Sequence, residues 1–145
     1  LKTTRAAALR LLRADLEGRP LLSSWTALEE YVAAKLALER AERFVVLFLD
    51  ARNRLIADEE LGRGTVDHAP VYPREVARRC LELDATAVVL VHNHPSGDPA
   101  PSREDIAMTR RVRDALAPLG VVLHDHLVVA SGGGASFRRL GLLAS

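Results

Sequence analysis

Two histidines and an aspartate lie close together between residues 92 and 105. His92 and His94 are separated by one residue and follow the continuous apolar segment 86–91. Because alternate side chains of a β-strand point to the same face, a strand that ends here would aim both imidazoles at one point. Asp105 follows a proline-rich loop and falls in the first turn of a helix that is predicted to begin at Ser102. Two imidazoles and one carboxylate form a ligand set that suits zinc.

Three protein ligands would leave a fourth tetrahedral position on the metal for water, which distinguishes catalytic zinc sites from structural ones. Zinc lowers the pKa of its bound water to about 7, so hydroxide becomes available at neutral pH. The spacing therefore predicts one zinc ion on His92, His94 and Asp105, in a hydrolase that needs a further group to move the proton. A competing interpretation is purely structural, because Ser102 and Asp105 also have the spacing of a helix cap and a His-x-His pair alone is common.

The elements that must position these residues alternate between helix and strand. Apolar spacing and capping residues predict helices over 3–17, 26–40, 73–83 and 102–116. Apolar, β-branched segments predict strands over 44–49, 54–57, 86–91 and 121–129, with a short strand at 65–68. Gly62 and Gly64 are expected in a loop, and residues 131–134 in a turn. This order indicates a mixed α/β or α+β fold, and the tight return after Asn53 favours some antiparallel pairing.

The composition is that of an ordinary globular protein. The chain has 145 residues, of which 48% are hydrophobic and 27% charged, and its net charge of +1 gives no electrostatic case for nucleic acid binding. No apolar segment is long enough to span a membrane, so we expect no membrane partner, and residues 1–13 lack the features of a signal peptide.

The single cysteine, Cys80, fits a reducing compartment, so we expect a cytoplasmic protein. Because the chain begins with Leu1, we expect it to be part of a longer protein.

The order of these motifs resembles a known family. His92-x-His94-Pro95, followed by Ser102-x-x-Asp105, is similar to the JAMM motif of the JAB/MPN metalloprotease fold. Residues 40–143 more closely resemble the bacterial RadC family, through segments that occur in the same order. These segments are Glu42-Arg43-Phe44 leading into Leu47-Phe48-Leu49-Asp50, Leu61-Gly62-Arg63-Gly64-Thr65, Pro73-Arg74-Glu75-Val76, His92-Asn93-His94-Pro95-Ser96-Gly97, Pro101-Ser102-x-x-Asp105 and Asp125-His126. Eukaryotic JAMM proteases usually carry Ser or Thr at the position of Asn93, whereas RadC proteins carry Asn there.

For the fold, the resemblance implies a JAB/MPN-like mixed, curved sheet flanked by helices, with the layering seen in cytidine deaminases. It divides the chain into an N-terminal helical connector at 1–40 and a RadC-type JAB/MPN metal-binding domain at 41–145. The helix–hairpin–helix region that usually precedes this domain is absent from the sequence, so we expect any DNA binding to depend on that region.

For the site, the resemblance implies a zinc ion on His92, His94 and Asp105 and a catalytic glutamate, which Glu42 fits. Glu42 would act as a base toward the metal-bound water and then as an acid toward the leaving amine. Ser102 would donate a hydrogen bond to the tetrahedral oxyanion. Structural interpretations stay open for both, because Glu42 could be a solvated residue at a helix–strand junction and Ser102 only a helix N-cap.

Three functions follow as hypotheses. The first is zinc-dependent hydrolysis of a peptide or of an isopeptide-linked protein. The second is a non-catalytic or accessory role in DNA repair or recombination, as the RadC name traditionally suggests. The third is a protein-interaction scaffold that keeps the fold without chemistry. A cytidine deaminase is a weaker zinc alternative, because its Pro-Cys-x-x-Cys segment is missing.

Further polar residues lie on the last long strand. His124 and His126 are expected to share one face and Asp125 to point to the other. Asp125 or His126 could support a metal-bound histidine, since such histidines usually donate their second N–H to a carboxylate or carbonyl. Cys80 is expected in the core and His68 in a surface loop.

Overall fold

The computed structural model of the chain describes residues 2–36, 38–63 and 71–143. Its helices are α1 (Lys2–Ala14), α2 (Trp25–Leu36), α3 (Pro73–Leu83) and α4 (Arg103–Leu116), with short 3-10 helices at Leu21–Ser23 and Ala117–Leu119. Its strands are β1 (Arg43–Leu49), β2 (Leu55–Arg63), β3 (Ala87–Asn93), β4 (Val122–Ala130) and β5 (Gly133–Ser136). No helix within these ranges is long and apolar enough to cross a membrane.

The strands form one mixed sheet in the order β2-β1-β3-β4-β5. β1 pairs antiparallel with both β2 and β3, and β4 pairs antiparallel with β5, whereas β3 and β4 are parallel. Two adjacent parallel strands need a long crossover connection, and α4 is the helix in that connection. The arrangement confirms the predicted mixed α/β class and is consistent with the JAB/MPN-like fold.

A tight turn joins β1 to β2. The carboxylate oxygen Oδ1 of Asp50 accepts hydrogen bonds from the backbone N–H groups of Arg52 and Arg54. Asn53 has a φ of 60°, a left-handed conformation that asparagine tolerates better than most residues. The antiparallel return predicted after Asn53 is therefore confirmed.

Both faces of the central strands are covered by helices, which explains their continuous apolar sequence. On one face, Val45, Leu47 and Leu49 of β1 belong to a core cluster with residues from α2 and from the segment between α1 and α2. On the other face, Phe44 and Val46 belong to a cluster with residues from α3 and α4. This second cluster includes Cys80, which is buried as predicted, and burial raises the pKa of its thiol to about 11.

Several boundaries differ from the sequence-based expectations. α1 ends at Ala14, and α2 begins at Trp25 and ends at Leu36, so Thr26 lies inside the first turn and is not the cap. β2 extends to Arg63, so Gly62 lies in a strand and not in a loop. Gly133 and Gly134 also lie in a strand, β5. The backbone pairing of these strands with β1 and β4 outweighs their charged or glycine-rich composition. The short strand predicted at 65–68, Gly64 and His68 fall outside the described residues.

Candidate metal centre

Four side chains that can bind metal converge at one end of the central strands. Glu42, His92, His94 and Asp105 each place a ligand atom within 4.8 Å of the others, so the group can hold a metal ion. His92 belongs to the end of β3 and His94 directly follows that strand, while Asp105 lies in the first turn of α4. Glu42 immediately precedes β1, whose antiparallel pairing places Phe44 opposite His92. Three separate elements therefore meet at this group.

The spacing of the ligand atoms fits a single small ion. His92 Nε2 lies 2.8 Å from His94 Nε2 and 3.3 Å from Asp105 Oδ1, and His94 Nε2 lies 3.0 Å from Asp105 Oδ2. Two ligands bound to zinc at about 2.0 Å in a tetrahedron are about 3.3 Å apart. The predicted triad therefore lies together, with separations at or somewhat below this value, and could hold a metal ion.

The orientation of His94 is fixed by the backbone. Its Nδ1 lies 2.9 Å from the carbonyl oxygen of Asp98. A carbonyl can only accept, so Nδ1 carries the hydrogen and Nε2 faces the other ligands. The hydrogen bond with Asp105 raises the pKa of His94 above its ordinary value. A metal at this site would therefore compete with a proton that Asp105 favours.

Asp105 serves the helix and the cluster at the same time. Its Oδ2 accepts from the backbone N–H of Ser102 at 2.8 Å, and its own N–H donates to Ser102 Oγ at 3.0 Å. This reciprocal pair is a capping box at the start of α4. Burial raises the pKa of Asp105, but the contacts of its carboxylate with the imidazoles of His92 and His94 outweigh that effect and hold the pKa far below its usual range. The helix-cap interpretation is correct, and the same carboxylate also faces both histidines.

Glu42 is buried rather than solvated, with 7% of its surface exposed. Its Oε1 lies 3.7 Å from His92 Nε2, on the β1 side of the cluster. The side chain of Asn93 binds the backbone on either side of Glu42. Asn93 Oδ1 accepts from the N–H of Arg43 at 2.7 Å, and Asn93 Nδ2 donates to the carbonyl of Ala41 at 3.1 Å. Asn93, the residue between the two histidines, thus holds the backbone that carries Glu42 beside them, and no sequence pattern indicated this role.

Two open clefts meet beside the cluster. One, of about 280 Å³, is lined by residues that include Glu42, Ser102 and Asp105. The other, of about 360 Å³, is lined by residues that include Arg40 and Asn93. His94 and Pro95 border both clefts. A larger cavity of about 410 Å³ lies elsewhere, beside Trp25, His124 and Arg138, and contains no part of the converging group.

The polar residues of β4 have the predicted orientations only in part: Asp125 and His126 point to opposite faces as predicted, but His124 does not share the face of His126. The pairing register shifts at His124, so that Leu123 lies opposite Val88 and Asp125 lies opposite Val89. This bulge reverses the alternation, and His124 and Asp125 both line the cavity beside Trp25. The prediction that His124 and His126 share a face is therefore wrong.

The two candidates for supporting a metal-bound histidine also separate. Asp125 accepts from Ser136 Oγ and from the backbone N–H groups of His126 and Arg138. His126 instead lies against His92, with 2.6 Å between His126 Nε2 and His92 Nδ1. His126 is fully buried, and its burial lowers its pKa well below the ordinary histidine value.

One further contact was not anticipated. Thr109 lies one helical turn after Asp105, and its Oγ1 is 2.6 Å from His126 Nδ1. The i, i+4 spacing that places Thr109 and Asp105 on one face of α4 was the only sequence signal for this contact.

Comparison with known proteins agrees with the motif and the fold. A family model described as RadC-like JAB domain matches residues 22–142. The chain is 61% identical over 143 residues to a UPF0758 protein of Rhodobacter capsulatus, covering 99% of this chain and 67% of that protein. It is 54% identical over 143 residues to a UPF0758 protein of Ruegeria pomeroyi, covering 99% of this chain and 64% of that protein. The chain thus spans about two thirds of the length of these relatives. Its motifs, its fold and these matches together show that the chain belongs to the family of RadC-like JAB domains.

Proposed function

We propose that this domain is a zinc-dependent hydrolase that cleaves peptide or isopeptide bonds. The observation that carries the proposal is the convergence of two imidazoles and the Asp105 carboxylate beside the buried carboxylate of Glu42. His92, His94 and Asp105 would hold the ion, because two histidines and a carboxylate are a ligand set of catalytic zinc sites. When bound, the ion would supply a water whose pKa is lowered to about 7.

Glu42 and Ser102 would carry out the proton transfer and the charge stabilisation. Glu42 would accept a proton from the attacking water and deliver it to the leaving amine. Ser102 Oγ already accepts from the N–H of Asp105, so its own hydroxyl hydrogen can be donated to the carbonyl oxygen as negative charge develops there. Helix capping and oxyanion stabilisation would then use different parts of the same hydroxyl group.

The surface around the cluster supports an extended substrate. The two clefts meet at His94 and Pro95 and are both open to solvent. A polypeptide laid across both clefts would bring one of its bonds beside the cluster, whereas a compact small molecule would fill only one side. The clefts therefore favour a peptide or an isopeptide-linked chain as substrate.

The test is to change Glu42→Gln and to measure both zinc content and hydrolysis of a panel of peptide and isopeptide substrates. We expect about one zinc per chain in the wild-type protein and in the variant. We expect hydrolysis to fall by about 10²- to 10⁴-fold in the variant, which is the usual contribution of a general acid–base group.

Glu104→Gln is the matched control, because Glu104 is an exposed carboxylate next to Asp105 that does not belong to the converging group. It should keep both zinc and activity. A fully metallated wild-type protein that cleaves no substrate of the panel would contradict the proposed reaction. Salt-dependent binding of branched DNA by that inactive protein would then favour the accessory role in DNA repair.

A further inference from the structure

A buried chain of hydrogen bonds runs from α4 through β4 to the candidate metal ligand His92. Thr109 Oγ1 lies 2.6 Å from His126 Nδ1, and His126 Nε2 lies 2.6 Å from His92 Nδ1. The exposed fractions of Thr109, His126 and His92 are 0%, 0% and 1%. Water has almost no access to these side chains, so their donors and acceptors must be paired with one another or with neighbouring protein groups.

The direction of the first hydrogen bond follows from the backbone. Thr109 Oγ1 donates to the carbonyl oxygen of Asp105 at 2.6 Å. A carbonyl can only accept, and a hydroxyl has one hydrogen, so Thr109 Oγ1 can only accept from His126. The hydrogen of His126 is therefore on Nδ1.

The second hydrogen bond takes its direction from the first. His126 lies between Phe137, stacked at 4.3 Å between ring centroids, and the edge-on ring of Phe44 at 5.4 Å. A fully buried imidazole between two phenyl rings is neutral, so it carries a single N–H. With that hydrogen on Nδ1, His126 Nε2 offers a lone pair and accepts from Nδ1–H of His92.

We propose that Thr109 and His126 are positioning residues that hold His92 in its Nδ1–H tautomer, so that the lone pair of Nε2 faces the metal site. His94 is held in the same tautomer directly by the carbonyl of Asp98. The two histidine ligands are thus oriented by different means, one through the backbone and one through two side chains from other elements. This inference rests on the proposed metal site.

The first test compares Thr109→Val with Thr109→Ser. Valine has nearly the shape of threonine but no hydroxyl, so it leaves His126 Nδ1–H without an acceptor, whereas serine keeps the hydroxyl. We expect zinc affinity, measured by competition with a chromophoric chelator, to fall by about 10- to 100-fold in Thr109→Val, as is typical when a partner of a metal ligand is lost. Thr109→Ser should bind zinc nearly as tightly as the wild-type protein.

The second test is nitrogen-15 NMR of the imidazoles in the metal-free protein at neutral pH. We expect the Nδ1–H tautomer for both His92 and His126 in the wild-type protein, and a shift of His92 toward the Nε2–H tautomer in Thr109→Val. A merely structural role of Thr109 would change the unfolding free energy but not the tautomer of His92.

The possible failures can be told apart. An Nε2–H tautomer of His92 in the wild-type protein, or unchanged zinc affinity in Thr109→Val, would overturn this inference and leave the proposed function standing. A wild-type protein that binds no zinc would overturn the proposed metal site, and this inference with it.

Discussion

Asn93 connects the candidate ligands to the candidate proton carrier. It lies between His92 and His94 in the sequence, but its side chain points away from the cluster to the backbone at Ala41 and Arg43. The same end of a strand therefore presents two imidazoles on one face and, on the other, an amide that holds Glu42 in place. Serine or threonine at this position would be too short to make both hydrogen bonds.

Replacing Asn93→Ala should separate metal binding from catalysis. Both hydrogen bonds to the backbone around Glu42 would be lost, and a displacement of a catalytic group by about 1 Å can reduce the rate about 10²-fold. We therefore expect kcat to fall by about that factor while zinc content stays unchanged, as measured by steady-state kinetics and metal analysis.

Asn93→Asp is the matched control for this prediction. It keeps an acceptor for the N–H of Arg43 but loses the donor to the carbonyl of Ala41. Its kcat should therefore lie between those of the wild-type protein and Asn93→Ala. A loss of zinc in Asn93→Ala would show that the side chain supports the ligands rather than Glu42.

The sequence was most informative about residues whose positions are set by the local secondary structure around them. His92, His94 and Asp105 could be recognised because one strand end and one helix start define their positions. Thr109 was not recognised and His126 could not be distinguished from Asp125, because the contact of Thr109 with His126 depends on how α4 packs against β4 and on the bulge at His124, which no periodic pattern records.

Among the elements, β2 shows how charge can be accommodated in a strand that pairs with a buried one. Its residue Asp58 is only 7% exposed in its side chain and meets three groups from α1 and α2. Tyr31 donates to Asp58 Oδ2 at 2.6 Å, and Lys35 and Arg13 form ion pairs with the carboxylate at 3.0 and 2.9 Å. Asp58 therefore links the N-terminal helices to the edge of the sheet.

Asp58→Asn should weaken this link between the N-terminal helices and the sheet at neutral pH but not in acid. Burial raises the pKa of Asp58, but hydrogen bonds from Tyr31, Lys35 and Arg13 outweigh it, so the pKa in the folded state lies below the ordinary value of 3.8. A carboxyl with a lowered pKa stabilises the fold above its unfolded-state pKa, and this stabilisation is lost as pH falls through the folded-state pKa.

We expect Asp58→Asn to lower the free energy of unfolding by about 1–3 kcal/mol at neutral pH, measured by urea denaturation. The difference from the wild-type protein should shrink as the pH falls below 3.8. Asp15→Asn is the control, because Asp15 forms an exposed pair with Arg19 and should leave stability nearly unchanged. A difference that stays constant with pH would contradict an ionic role for Asp58.

The strands that were predicted with the right type and place are those buried on both sides. β1, β3 and β4 are apolar throughout most of their length, so burial pattern and sequence agree. The sequence pattern indicates only part of β2 and none of β5, because both strands depend on backbone pairing with a neighbouring strand. The charges of β2 are in addition matched by residues distant in the sequence, such as Arg79 for Glu59.

In the molecule as a whole, the N-terminal helices form one of two layers on the sheet. Leu28, Tyr31 and Leu36 of α2 are buried against Val45 and Val89 of the central strands. The matched family segment begins at residue 22 and so includes α2. The division at residue 40 into a connector and a domain stays a prediction, and this packing provides its test.

We expect a chain that begins at residue 41 to fail to fold by itself. Removing residues 1–40 would expose the face of the sheet that α2 covers, and an apolar face of this kind needs a covering layer. Circular dichroism and urea denaturation of the shortened chain should show no cooperative transition. A cooperative transition close to that of the full chain would instead support a separable connector.

The crossover from β3 through α4 to β4 has a consequence for how this site can change over time. His92, Asp105, Thr109 and His126 all belong to that single unit, and His94 lies on the connection within it. Glu42 is attached from outside, through the chain before β1. If the proposed function holds, a descendant of this protein could lose activity by one substitution at Glu42 and still bind the metal. Metal binding and catalysis would then depend on separate parts of the chain, so one substitution would be enough to produce a relative that binds the metal but is inactive.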